Sequence, residues 1–522
     1  MLHRLLLTAA LLACASPAWS MGVNEDVKFH GNDQVGGAQL GHSVAIDGNV
    51  IAAGAPLDSD FILFAGSATL FDLSTGAQLF KLAAVDLTLF DAFGESIAME
   101  GNRVLVGASG DDDLGSESGS AYVFDALTGV QLAKLLPSDG TSGSQFGGSV
   151  AISNGLAVIG ASLDDAKGVD AGAAYVFDLA SGTQLSKLVA ADAVAGDEFG
   201  TSVSIDNGTI IVGAPYALVG GLGTGAAYMF DAATGAQLHK LTPTSAPSGS
   251  LFGKSVGVSG DLAVVGAPNG DGITPGSGAI DIFNIQTGLS FGHLFALDGK
   301  LGDSFGDSVA IHNNTIVIGA KADSTSSGMT GSVYTYEVLG PSAGLMPKLL
   351  ASDGAIADRF GSAVAISNGR VAVGADGDND PSTDSGSVYG YTASGTTSTI
   401  TPFGVGLGGA NTGSLITTSV PNTGSLVQLD VTGFVNSTTA FLVISMASDH
   451  APLAGGTALI SLGQSVTVQP FNLTAGASTL PLHIPTTASL IGVSFYAQAA
   501  ALDTAQPQGL ALSNALVAYI GQ

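Results

Sequence analysis

The dipeptide Phe-Gly recurs along this chain at Phe93-Gly94, Phe146-Gly147, Phe199-Gly200, Phe252-Gly253, Phe305-Gly306 and Phe360-Gly361, with Leu40-Gly41 as a weaker first copy. Its glycines are spaced by five steps of 53 residues and one of 55. A second marker, Gly-Ala, holds the same register at Gly54, Gly107, Gly160, Gly213, Gly266, Gly319 and Gly374. Two markers in phase over seven copies demand a fold assembled from one repeated supersecondary unit.

The third copy shows what that unit is. Ser149-Val150-Ala151-Ile152 alternates as a strand, Asn154-Gly155 is a hairpin turn, and Leu156 to Gly160 returns. After a loop from Ala161 to Gly172, Ala173 to Phe177 is a third strand. Ser181-Gly182 turns the chain and Thr183 to Leu188 is the fourth. The 75 glycines and short Val/Ile/Ala runs fit strands and tight turns, and no segment has helical periodicity. Four antiparallel strands, seven times over, predict a seven-bladed β-propeller. The Phe before each Gly is expected to be a wedge between neighbouring blades, and the small residues of Gly-Ala to let backbones approach near the axis. Val23 to Phe29 stands where a fourth strand would precede the first blade, so it is a candidate to close the ring, in competition with Thr397 to Thr401. The two extra residues of the last spacing are placed in the turn around Leu339 to Leu345.

The predicted fold class is all-β: residues 21–400 form the propeller, and residues 401–522 a small C-terminal β-sandwich-like domain, where the repeat is lost and alternating segments such as Leu426 to Val431 take over. Residues 1–20 read as a secretory signal peptide, with apolar Leu5 to Ala13 and a small-x-small cleavage site at Ala18-Trp19-Ser20. Leu11-Leu12-Ala13-Cys14 also satisfies a lipobox, so a lipid anchor at Cys14 is the rival fate of the only cysteine. Both readings place the chain outside the cell or on its outer surface, and no later stretch reads as a transmembrane helix. A formal net charge of −29 opposes binding to nucleic acid or anionic membranes.

Phe-Gly followed by Gly-Ala-Pro, fullest at Gly213-Ala214-Pro215 and Gly266-Ala267-Pro268, resembles the FG-GAP repeat that builds the propeller head of integrin α subunits. Gly119-Ser120-Ala121-Tyr122-Val123-Phe124-Asp125 is similar to the form found in bacterial secreted FG-GAP proteins. The resemblance implies a propeller working in extracellular adhesion or ligand binding, although a fold by itself hosts many functions. The tail, with Leu490 to Gln498, resembles a C-terminal domain of planctomycete-type secreted proteins.

In an up-and-down blade, loops 1–2 and 3–4 share one face, while loop 2–3 and the crossover to the next blade share the other. Here the first face has only tight turns, and the second carries the long, acidic loops. All seven 2–3 loops have one length, so their positions can be compared directly. Counting from the residue after Gly-Ala, blade seven offers Asp376, Asp378, Asp380 and Asp384 at positions 1, 3, 5 and 9. Blade two offers Asp111, Asp113 and Glu117 at 3, 5 and 9. Oxygens on alternate residues suit Ca²⁺, which takes six to eight of them, and these seven residues are the candidate metal ligands. Two departures separate them from the integrin calcium loop: Pro381 replaces the turn glycine, and the loop follows Gly-Ala instead of preceding it. A further series, Asp33, Asp86, Asp139, Asp192, Asp298 and Asp353, holds one repeat position and is expected to bond crossover backbone N–H groups.

Catalytic motifs fail on context. Gly302 to Gly306 matches G-x-S-x-G but lies in a crossover without a strand-to-helix elbow. Gly404 to Gly409 matches G-x-G-x-x-G without a βαβ unit. The histidines are scattered without zinc-ligand spacing, and no loop is read as breaking the repeat in one blade with His, Tyr or Arg. The expectation is therefore a non-enzymatic binding or adhesion protein, whose loop-rich acidic face meets an extracellular protein or glycan, with Ca²⁺ assisting. A structural envelope or matrix protein is the alternative, followed by a propeller hydrolase or lyase.

Overall fold

The computed structural model describes residues 25–392 apart from 33–35, 245–246, 326–327, 340–341 and 346–347, and beyond them the strands between 399 and 519. The chain divides into two units between Thr392 and Ala393. The signal segment, Cys14 and Asp33 lie outside the described residues.

The first unit is a closed ring of seven four-stranded antiparallel sheets. In blade three, Phe146–Ser153, Leu156–Ala161, Ala173–Asp178 and Thr183–Leu188 pair in chain order. Strand 1 of each blade runs against strand 1 of the next all the way round, so strand 1 lies innermost. Val27–Phe29 closes the ring as the outer strand of blade seven, antiparallel to Ser387–Thr392 with Lys28 opposite Tyr389. Its rival Thr399–Phe403 pairs instead with Ala515–Tyr519 in the second unit. The extra residues of repeat six fall in the hairpin joining Ser332–Leu339 to Ser342–Leu345.

No blade has a core of its own. Each hydrophobic cluster spans two blades, and seven such clusters complete the circle. The Phe of each Phe-Gly is their centre: Phe93, Phe146, Phe199, Phe252, Phe305 and Phe360 are fully buried. Phe199 meets the rings of Tyr228 and Phe230 edge-on, at 5.6 and 5.7 Å. The backbone at each Phe also bridges to the glycine that ends the preceding blade's 2–3 loop, as Phe199 does to Gly172. In the first repeat Leu40 takes this role, bridging to Gly386.

Both marker glycines are required sterically. Gly200 has φ +101°, and a Cβ there would lie 2.3 Å from the Ala173 carbonyl oxygen. Gly160 of the preceding blade would place a Cβ 2.1 Å from the carbonyl oxygen of Gly200. That carbonyl also accepts a hydrogen bond from Ser149 Oγ at 2.8 Å. Six blades make this inter-blade bond from the strand 1 serine that stands opposite the Gly-Ala glycine.

The second unit is also built of strands. Thr399–Phe403, Thr439–Ser445, Thr467–Asn472, Ser494–Leu502, Leu510–Leu512 and Ala515–Tyr519 form one antiparallel sheet. Ser414–Thr417, Leu426–Thr432 and Ser478–His483 form another. Among the described residues no helix is long and apolar enough to cross a membrane.

Candidate functional site

Every 2–3 loop has the same backbone frame: the closing glycine donates its N–H to the carbonyl of position 3, at 2.8–3.1 Å in all seven blades. Position 3 is Asp58, Asp111, Asp164, Asp323 or Asp378 in five blades, but Ala217 and Gly270 in blades four and five. The loop frame therefore forms with or without a carboxylate at position 3.

Where the acid is present it is buried, and a lysine of strand 4 reaches it. Register supplies the lysine: Tyr122 stands opposite Lys134, Tyr175 opposite Lys187, and Tyr389 opposite Lys28. In blade two, Lys134 Nζ lies 3.0 Å from Asp111, 2.7 Å from Asp113 and 2.9 Å from Asp86, and Tyr122 donates its hydroxyl to Asp111 at 2.7 Å. In blade seven, Lys28 Nζ lies 2.7 Å from Asp378, 3.2 Å from Asp380 and 2.6 Å from Asp353. Blades one, three, four and six hold the same ammonium, from Lys81, Lys187, Lys240 and Lys348, against their own acids. Burial pushes Asp111 upward, but hydrogen bonds from Tyr122 and Lys134 outweigh it and hold its carboxyl below the usual range. Burial likewise opposes the charge on Lys134, and its acid partners more than reverse this, raising its pKa.

The seven candidate metal ligands therefore do not form two ion cages. Asp111 and Asp113 surround Lys134; Asp378 and Asp380 surround Lys28. Glu117 and Asp384 are exposed at left-handed positions, φ +52° and +49°. Asp376 faces the axis, 3.2 Å from His42 Nδ1 and 3.0 Å from Arg359 Nε. Among the described residues no three His, Cys, Asp or Glu side chains converge as a metal site requires. A divalent ion would have to displace an ammonium already bonded to the same oxygens, so these residues do not fit Ca²⁺. The expected consequence is measurable: Ca²⁺ on the order of 10⁻⁴–10⁻³ M leaves the melting temperature of the native protein unchanged. Lys134→Met, which strands the buried Asp111, costs about 3–5 kcal/mol. A Ca²⁺-dependent rise in melting temperature, lost in Asp378→Ala and Asp380→Ala proteins, would reverse this assignment.

The recurring crossover acids prove structural, with partners other than the expected ones. Asp86, Asp139, Asp192, Asp298 and Asp353 accept from these lysines. Asp139, Asp298 and Asp353 also accept from a tyrosine hydroxyl. Crossover N–H groups are instead taken by a different series two residues before Phe: Asp91, Asp197, Asp303 and Asp358.

Blade five replaces the whole device. Asp281 stands in the tyrosine's place and His293 in the lysine's, 3.2 Å apart. The hydrogen bond to Asp281 raises the pKa of His293 above its ordinary 6.5. A pKa raised by folding contributes stability in full below the unfolded value, and that contribution is lost as pH rises through the folded value. Thermal stability should therefore fall as pH rises from the ordinary histidine value of about 6.5 through the higher folded value. His293→Lys should flatten that slope, and an unchanged slope in this variant would show that another group titrates.

Variation is concentrated around the axis on the loop-rich face. The residue before each Phe is Gln39, Ala92, Gln145, Glu198, Leu251, Ser304 or Arg359, all left-handed with φ between +53° and +62°. The residue after each Phe-Gly is His42, Glu95, Gly148, Thr201, Lys254, Asp307 or Ser362. Here the blades differ in charge: Asp376 takes His42 and Arg359, Lys321 lies 2.7 Å from Asp307, and Ser109 donates to Glu95. The repeat is thus broken by His and Arg, a feature that the sequence analysis missed. Its signal was the chemistry of the two columns flanking a dipeptide that is Phe-Gly in six of seven copies. A cleft of about 470 Å³ opens at this rim, lined from blades one to three by residues including His42, Leu57, Phe90, Glu95, Glu117 and Gln145.

Seven inter-blade cores, a ring closed by its N-terminal strand and a loop-bearing face with a cleft define a β-propeller repeat protein. The FG-GAP repeat profile matches residues 77–124, 130–177, 183–230, 236–283, 290–336 and 344–391, more than half of the chain, and the chain belongs to that family. The first five matches run from the region of strand 4 of one blade through strand 3 of the next, so the repeat unit is offset from the blade by one strand. No curated protein sequence matches the chain. Among solved structures, an acylaminoacyl peptidase of Pyrococcus horikoshii is 10% identical, with a TM-score of 0.40 over 78% of this chain and 59% of that one. The GH74 xyloglucanase from Xanthomonas campestris is 11% identical, with a TM-score of 0.42 over 76% of this chain and 58% of the enzyme. Apo AztD from Citrobacter koseri is 10% identical, with a TM-score of 0.33 over 59% of this chain and 86% of that protein. The chain thus spans under two-thirds of the length of the peptidase and the xyloglucanase.

Proposed function

We propose that this chain is a non-catalytic binding protein of the cell surface or exterior, and that it meets a protein or glycan ligand with its loop-rich face. The observation that carries the reading is the contrast between the faces. On the turn face the described connections are tight turns, whose acids satisfy turn N–H groups, as Asp72, Asp178 and Asp231 do. On the loop face the residues round the axis differ from blade to blade and open into a cleft. Repeated positions serve the ring, and the unrepeated ones are free to serve a ligand. Membership of the FG-GAP family supports an extracellular setting. A signal peptide at residues 1–20, or a lipid anchor at Cys14, would deliver the chain there.

Charge reversal separates the faces. In arrays of glycans and peptides probed with the full chain, Asp112→Lys, Asp170→Lys and Asp384→Lys together should abolish the wild-type pattern. Asp261→Lys with Gln286→Lys, on the turn face, should leave it intact. The opposite result would sink the reading. Repeating the arrays with a chelator tests calcium assistance, and the ammonium-filled loops lead us to expect no change.

A further inference from the structure

The 2–3 loop of blade one departs from those of the other six. At loop positions 6 to 9 it carries Phe61-Ile62-Leu63-Phe64, where no other blade has more than one large apolar residue. All four are exposed, Phe61 by 53% and Leu63 by 55%. The next crossover adds Leu89 and Phe90, exposed by 48% and 58%. Phe64 and Phe90 stack with centroids 5.6 Å apart and planes 11° off parallel. Leu57, Leu89 and Phe90 then continue into the cleft, whose polar side carries Glu95, Asp112 and Glu117.

Folding does not account for these aromatics. Phe64 has φ +53° and Phe90 φ +69°, a left-handed backbone that is unfavourable for bulky side chains. At the Phe64 position, blades two, three, five and seven place Glu117, Asp170, Gly276 and Asp384. At the Phe90 position, five blades place glycine: Gly37, Gly143, Gly196, Gly249 and Gly302, with φ between +80° and +85°. Two phenylalanines thus stand where the other left-handed copies have glycine, alanine or an acidic residue, and both rings remain exposed, by 38% and 58%. Strain retained for exposed apolar surface points to a partner that covers it.

We propose that this aromatic loop and the adjoining cleft are the docking site for a basic amphipathic peptide segment of another protein. Its apolar side chains lie on the Phe64–Phe90 stack, and its Lys or Arg side chains meet Glu95, Asp112 and Glu117. The inference deepens the binding reading above and rests on it. Charge decides the occupant: a second copy of a chain of net charge −29 brings like charge to an acidic rim, and so does an anionic lipid surface. A basic segment gains from the rim and the apolar floor together.

The test uses the full chain and a labelled peptide alternating Lys with Leu and Phe. Its comparators are the same peptide with Glu for Lys, a panel of neutral oligosaccharides, and phosphatidylcholine vesicles. A chain this acidic attracts any polycation, so binding alone does not count. Phe64→Gly with Phe90→Gly removes both rings and relaxes both left-handed positions, so the melting temperature should hold or rise. Affinity for the basic peptide should fall by about tenfold or more in that variant. Glu117→Gln should weaken the salt dependence. Equal binding of the acidic peptide, or undiminished binding by the double variant, overturns the proposal. So does vesicle binding or self-association that the double variant abolishes. If an oligosaccharide binds and is lost on loop-face charge reversal but not in the double variant, this proposal falls and the broader reading stands. If nothing binds the loop face, both fall.

Discussion

Phe199→Ala should destabilise the propeller by about 3–5 kcal/mol, read as a shift in denaturant midpoint. Phe199 is fully buried, with its ring against Tyr228 and Phe230 of its own blade. The same cluster includes Val158, Val176 and Leu188 of blade three. Truncation therefore opens a cavity at a seam between two sheets. The seam cannot readily collapse, because the neighbouring Gly200 is fixed by a hydrogen bond to Gly213 and by one accepted from Ser149. A loss below about 1 kcal/mol would mean that the blades carry their own cores. The equivalent Leu40→Ala is expected to cost less, since a leucine leaves a smaller void and has no edge-on aromatic partners to lose.

Gly213→Ala should be at least as damaging as many core truncations, at about 3 kcal/mol or more, although it adds only a methyl group. Its Cβ would stand 1.9 Å from the carbonyl oxygen of Gly253 and 2.3 Å from Ser202 Oγ. The first of these is backbone of the next blade, held in place by Ser202 and by the Gly253 N–H bond to Gly266. Relief requires two blades to part. Gly155→Ala is the internal control: φ there is +76°, but a Cβ would meet nothing within 4 Å. Its cost is the left-handed penalty alone, about 1 kcal/mol. Equal melting temperatures for the two variants would refute the view that close backbone contact, and not conformational freedom, keeps glycine in the Gly-Ala marker.

The position of Lys28 follows from the offset between repeat and blade. Because the repeat unit begins with strand 4, the first copy has no preceding blade to receive that strand. Val27–Phe29 therefore joins blade seven, and Lys28 arrives among Asp353, Asp378 and Asp380 as Lys134 does in blade two. Both halves of this device stand in the sequence: alternate acids in the 2–3 loop, and a lysine in nearly every fourth strand. Counted loop by loop without the lysines, the acids read as a cation site lacking its cation.

The blade count, the four-strand unit, the sorting of long and short loops to opposite faces and the buried role of Phe were all legible in the sequence. Each depends on local pattern repeated in phase, and a strand or a tight turn is specified within a few residues. The ammonium among the acids was not legible, because Lys134 and Asp111 are 23 residues apart and Lys28 and Asp353 are 325 apart. Nor was the contact of His42 with Asp376 across 334 residues, nor the left-handed backbone under Phe64 and Phe90. The Lys134 pairing needs the strands of its blade in register, and the contacts of Lys28 and His42 arise only when the ring closes and brings the ends of different repeats to one rim. Periodicity determines what every blade shares, and tertiary closure alone decides which unshared side chains meet.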